Sequence, residues 1–167
     1  MLALVVSLAP APGVALPRGA ASAAAQPSQA PAPVAAVLSS SEISVVESGG
    51  IAGRVHSVRL VAANGRVGVE YRAREAPATA RPFTGTLDQE RYVALWRQLE
   101  ESSVWSTRSP ARTRGADLVQ VELRVRLGET VHLVRWDEAS QQSPGIRDLP
   151  ETARRALAAG RESAFTR

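Results

Sequence analysis

Few side chains in this sequence are equipped for chemistry. His56 and His132 are the only histidines, and there is no cysteine. A disulfide framework, a thiolate zinc site and a cysteine nucleophile are therefore excluded. A metal centre needs three or four convergent His, Asp or Glu ligands. The two histidines sit on predicted strands and could be neighbours in the sheet, but two are too few for a site, and Asp137 and Glu138 follow His132 too closely for ordinary ligand geometry; they read as the end of a strand. Serines are numerous, but none sits in the Gly-x-Ser-x-Gly turn that exposes a nucleophile beside a base. Glu100 and Glu101 are adjacent carboxylates on what reads as a solvated helix face. The segment SGGIAG, Ser48 to Gly53, is glycine-rich but lacks the lysine and following helix of a phosphate loop. These observations argue against an enzyme and predict no cofactor and no metal.

Two features remain as candidates for contact with a partner. Gly49, Gly50 and Gly53, with Ile51 and Ala52 between them, lie between two predicted strands. Glycine there signals positive φ or close backbone approach, which fits either a plain hairpin turn or an exposed loop laid against another molecule. Trp105 lies in a stretch of Ser, Thr and Arg outside any helical stripe. Arg and aromatic residues together mark interface anchors, and an aromatic plug in the core is the ordinary alternative.

The elements that must hold these residues begin after an atypical leader. Residues 1–41 contain one charge, Arg18; the other 19 of the 20 basic residues, and all 16 acids, follow. All 20 basic residues are arginine, the formal net charge is +4, and no basic run of five occurs. Clustered phosphate contacts are thus lacking, and nucleic acid is not an expected partner. Residues 1–25 read as a signal peptide, with an apolar run from Met1 to Ala9 and small-x-small cleavage sites near Ala23 and Ala25, although no basic residue precedes the run. The run is too short to span a bilayer, so no stable membrane insertion is expected and the location is periplasmic or secreted. Residues 26–41, rich in Ala, Pro and Ser, read as a disordered linker. Residues 42–167 form the folded domain.

Within that domain, 42–47 and 54–73 read as strands, the latter as a hairpin around Asn64-Gly65. Residues 74–86 read as a loop. Thr86 with Gln89 fits a capping box opening a helix to about Ser102, with Tyr92, Leu95, Trp96 and Leu99 on one stripe. A second loop covers 103–116. Val119, Val121, Leu123, Val125 and Leu127 then alternate with polar residues, and 130–136 returns as the partner strand. Asp148, Pro150 and Glu151 mark a last helix start. Ala153, Ala156 and Leu157 form its inner face, and Gly160 is its expected C-cap. The order β-β-β-α-β-β-α predicts an α+β fold, an antiparallel sheet of about five strands with two helices on one face.

The ensemble resembles the emfourin-like family, small bacterial protein inhibitors of protealysin, a thermolysin-like zinc metallopeptidase. The residues that carry the likeness are SGGIAG at 48–53, the helix pattern Leu87, Asp88, Tyr92, Leu95, the strand Val119–Leu127, the segment Val131–Asp137 and the closing Leu149-Pro150. The leader, the loop at 74–86 and the charged insertion at 105–116 set the chain apart. The resemblance implies occlusion of a metallopeptidase cleft. Gly49, Gly50, Ile51, Ala52 and Gly53 would then be the contact segment and Trp105 an anchor. A non-catalytic cell-envelope accessory or binding module with another partner stays open beside it, as does the oligomeric state.

Overall fold

The structure is a computed structural model that describes residues 30–50, 53–74, 82–111, 117–143 and 145–165. The expected signal peptide and the first part of the linker lie outside the described residues. The fold is α+β. Six strands form one antiparallel sheet: β1 Ser40–Gly49, β2 Arg54–Ala63, β3 Arg66–Arg74, β4 Phe83–Leu87, β5 Gln120–Leu127 and β6 Thr130–Asp137. Their order across the sheet is β4-β3-β2-β1-β5-β6. Three helices accompany it: α1 Val34–Ser39, α2 Gln89–Glu101 and α3 Leu149–Phe165.

Register places one apolar layer across the sheet. Val45 pairs with Val58 on one side and Leu123 on the other; Val58 pairs with Tyr71, and Leu123 with Val134. All of these are buried in one core with Tyr92, Leu95, Trp96 and Leu99 of α2 and Leu149, Ala153, Ala156 and Ala159 of α3. Each large apolar side chain so buried contributes about 1.5–3 kcal/mol. The alternate residues face away from the helices. They include Arg59, Glu70, Arg72, Arg124 and Arg126, which keep that face in water. The strict alternation seen in the sequence is this division into a dry face and a wet one.

Several elements differ from expectation. The first is the linker, for which no fixed structure was expected across 26–41. The chain instead turns into α1 at Pro33, buries Val37 completely and enters β1 at Ser40. Ala32 donates its N–H to Glu100 Oε1 at 2.9 Å, and Trp96 Nε1 donates to the same oxygen at 3.0 Å. Glu100 is thus a part-buried fastener rather than a solvated carboxylate. The second is the loop at 74–86, which yields a sixth strand, because Phe83, Gly85 and Leu87 extend the buried face of β3 in register with Tyr71, Val69 and Val67.

Two helix signals also shift. The N-cap of α2 is Asp88, whose carboxylate accepts from the N–H of Glu90 at 2.8 Å and Arg91 at 3.2 Å; Thr86 stays in β4. Gly160 does not end α3, which continues to Phe165. A Cβ there would sit 2.2 Å from Val58 Cγ2 and 3.7 Å from the Tyr71 ring. The glycine lets the helix press onto β2 and β3. Close packing and a C-cap call for the same residue type, so the sequence alone favoured the commoner role.

Candidate functional site

The glycine segment closes the β1–β2 hairpin. Gly49, Gly50 and Gly53 have φ of +116°, +72° and +57°, a left-handed backbone that favours glycine. Gly53 N–H donates to Gly50 O at 3.0 Å. Ile51 and Ala52 lie outside the described residues. Gly49 is constrained a second way: a Cβ would meet Leu118 O at 2.5 Å. The chain entering β5 runs directly over the end of β1. Gly49 is therefore needed by the fold itself, whereas a Cβ at Gly53 would meet nothing within 4 Å.

Around this turn the end of the sheet is hollowed. A depression of about 460 Å³ is lined by Glu47, Gly49, Gly50, His56, Asp117 and Glu138, among others. A smaller one of about 250 Å³ adjoins it through Glu47, Val119 and Glu138, and runs between Val121, Trp136 and Leu157 under α3. A third, of about 330 Å³, opens beside Ser48, Pro110, Glu122 and Asp137. Asp117 and Glu138 are exposed. Glu138 is held by its own N–H, which donates to Val119 O at 3.0 Å. Asp137 and Ser140 form a reciprocal cap, with Ser140 N–H to Asp137 Oδ1 at 2.9 Å and Asp137 N–H to Ser140 Oγ at 3.0 Å. That cap fixes where Glu138 projects. Trp136, 4% exposed, keeps its indole N–H buried without an acceptor among the described residues.

Trp105 lies elsewhere. It sits in a 3₁₀ turn, Val104–Ser106, half-buried against the core. Its ring centroid is 6.2 Å from that of Trp96 and 6.2 Å from that of His132. His132 pairs with Val125, which pairs with Ile43. Gly49 lies six residues further along β1, about 20 Å away at the rise of a strand. The structure therefore does not bring Trp105 and the glycine turn onto one surface.

The histidines are likewise apart. His56 pairs with Glu47 on β2, while His132 occupies β6 with its Nε2 2.9 Å from Thr107 O. Two strands lie between them, a lateral separation of about 15 Å. Among the described residues, no group of three His, Asp or Glu is placed to hold a metal ion.

The sequence reading missed Asp117 and Glu138 as site residues. A signal was present. The tight Gly128-Glu129 turn fixes the β5–β6 pairing, and Gln120 opposite Asp137 sets Val119 against Glu138. Glu47 could not be placed this way, since its approach depends on β1 pairing with β5 across more than seventy residues of chain.

No protein-family model matches the chain, and no curated protein matches it.

Proposed function

We propose that the chain is a non-catalytic binding domain that presents its glycine-turn end to a protein partner, and that this partner is a thermolysin-like zinc metallopeptidase whose cleft it occludes. The observation that carries the reading is the pairing of a side-chain-poor turn, Gly49 and Gly50, with the exposed carboxylates of Asp117 and Glu138 on the same hollow. A turn rich in glycine offers little steric bar to entering a narrow cleft, and carboxylate oxygen is an accepted zinc ligand. Lacking cysteine, the chain has no thiolate to offer the metal, so it would present a carboxylate or a backbone carbonyl, or simply fill the cleft. The family resemblance supplies the class of target. The leader, read as a signal peptide, supports an encounter in the periplasm or outside the cell.

Titration of the protein into a thermolysin-family peptidase, followed with a fluorogenic peptide, tests the proposal. Stoichiometric loss of activity is expected. Gly50→Asp, which widens the turn, should weaken inhibition at least tenfold, while Trp105→Ala, remote from the turn, should leave it intact. Full peptidase activity at excess protein, across several such enzymes, would remove the inhibitor reading. It would leave the cell-envelope binding module, to be pursued by capture from envelope extracts.

A further inference from the structure

One row of residues crosses the sheet at its hollow end. His56 of β2 pairs with Glu47 of β1, Glu47 with Val121 of β5, and Val121 with Trp136 of β6. Helix α3 packs chiefly over β2, β3 and β4. Near β5 and β6 its first half leaves a slot of about 250 Å³ above this row. Val119, Val121, Ala153 and Leu157 are among its walls, and Val119, Val121 and Leu157 are only half-buried. Glu47 and Glu138 line both the slot and the glycine-turn hollow, so they stand where the two join.

Three polar groups around the slot lack a counterpart. The indole N–H of Trp136 is buried with no acceptor among the described residues, and a donor buried in that way ordinarily has a partner. The carboxylates of Glu47 and Glu138 have no ion pair among the described residues. The cations nearby are Arg54, which lines the adjoining hollow, and Arg154 on the lip of the slot. Arg154 is held by Glu151 at 3.4 Å and by Pro150 O at 3.3 Å. The volume falls below the roughly 300–1,000 Å³ of pockets for drug-sized ligands, and suits a single residue.

We propose that the slot receives the N-terminal residue of a peptide whose first side chain is apolar. That side chain fills the space between Val121 and Leu157, the α-ammonium lies among the carboxylates of Glu47 and Glu138, and the first peptide carbonyl accepts from Trp136 Nε1–H. An N-terminal residue carries an apolar group, a cation and an acceptor within two bonds of one carbon. The slot offers apolar walls, carboxylates and an unmet donor around one small volume, which is the complementary set. A free amino acid shares this chemistry but brings a carboxylate of its own to a rim that already holds two, so the peptide terminus is the better match. Recognition of this kind is independent of whether the partner is a peptidase.

Nitrogen–proton NMR spectra of the isotope-labelled intact chain, titrated with leucyl-alaninamide, test the proposal. The chain has three tryptophans and so three indole N–H signals. Trp105→Phe removes one, and Glu100→Gln shifts that of Trp96, whose Nε1 donates to Glu100, which leaves the Trp136 signal identified. A saturable downfield movement of that signal is expected, with a dissociation constant on the order of 1 mM. N-acetyl-leucyl-alaninamide, which lacks the ammonium, should bind at least tenfold more weakly. Glu47→Gln should weaken the free peptide amide about fivefold, with the rest of the spectrum unchanged. A Trp136 signal that stays fixed up to about 10 mM peptide amide, or equal binding of the acetylated form, would overturn the proposal. Free leucine binding as tightly as the peptide amide would overturn the peptide assignment in favour of an amino acid. None of these readouts involves a peptidase, so failure here and failure of the inhibitor reading are separate results.

Discussion

Strand β1 has two ends built on opposite plans. At its start, Ser41 is completely buried; its hydroxyl donates to Val37 O and shares a hydrogen bond with Tyr92 OH at 2.7 Å. The two hairpin turns nearby are tied to the same place, with Gly65 N–H donating to Leu38 O at 3.1 Å and Gly128 N–H to Ser40 O at 2.9 Å. On the wet face just beyond, Glu42 is 5% exposed and accepts from Arg59 at 3.0 Å, with Arg126 at 3.6 Å. At the far end, Gly49 is clamped beneath Leu118 while the surface around it is hollow and fringed with exposed carboxylates. A buried polar group must find its partner in the fold, and the first end provides one for each group just named. The second end exposes the carboxylates of Asp117 and Glu138 on a hollow that Arg54 also lines. The first end is held by buried polar groups; the other, proposed as the contact surface, is held by the close approach of Leu118 to Gly49.

Substitutions should separate those roles, the largest effect first. Gly49→Ala breaks the backbone clamp at the hollow end: a φ of +116° and a Cβ 2.5 Å from Leu118 O should cost about 3 kcal/mol, read as a lowered urea midpoint. This would show that the hollow end rests on one rigid point.

Glu42→Gln should cost about 1–2 kcal/mol at neutral pH by removing a charge-assisted bond. The hydrogen bond from Arg59 leads the influences that hold the Glu42 carboxyl below the usual carboxylate range, against the opposing effect of burial. A depressed pKa in the folded state adds stability above the unfolded value of 4.5, and that stability is lost as pH falls through the folded value. Glu42→Gln should therefore flatten the decline in stability below about pH 4.5. An unchanged acid limb would show that Glu42 is not the group responsible.

Tyr92→Phe should cost about 1 kcal/mol through the lost bond to Ser41. Burial pushes the Tyr92 hydroxyl up to about 12 from the ordinary value of 10.0. Between those values the unfolded chain releases a proton that the folded one keeps, so stability falls as pH rises through this window. In Tyr92→Phe the alkaline decline should be shallower, as thermal melts from pH 9 upward would show. The smallest effect is expected from Asp117→Asn with Glu138→Gln. Stability should move by no more than about 0.5 kcal/mol, since both side chains are exposed, while inhibition of the peptidase should fall. A large loss of stability instead would erase the contrast between the two ends.

Much of the scaffold was legible because local signals agreed with the tertiary outcome. Asn64-Gly65, with φ of 51° and 73°, forms the turn its residue types require. The α2 stripe is buried at all four expected positions, Tyr92, Leu95, Trp96 and Leu99. β5 and β6 follow their alternation within a few residues. The two elements that were missed share one cause. Phe83–Leu87 carries little local strand signal and is a strand because β3 offers a register. Val34–Ser39 is too short to be a helix on its own and exists because Val37 and Ser41 have a place in the core.

By itself the sequence determined the hairpins, the amphipathic stripes and the division between a leader with a single charge, Arg18, and a charged domain. Those depend on neighbours a few residues apart and on side-chain periodicity. The placement of β1 between β2 and β5 and the gathering of Glu47, Asp117 and Glu138 around the glycine turn were decided only in three dimensions. Each depends on pairing between segments far apart in the chain. Such pairing is chosen by which apolar faces can share one core, and no local pattern encodes that choice.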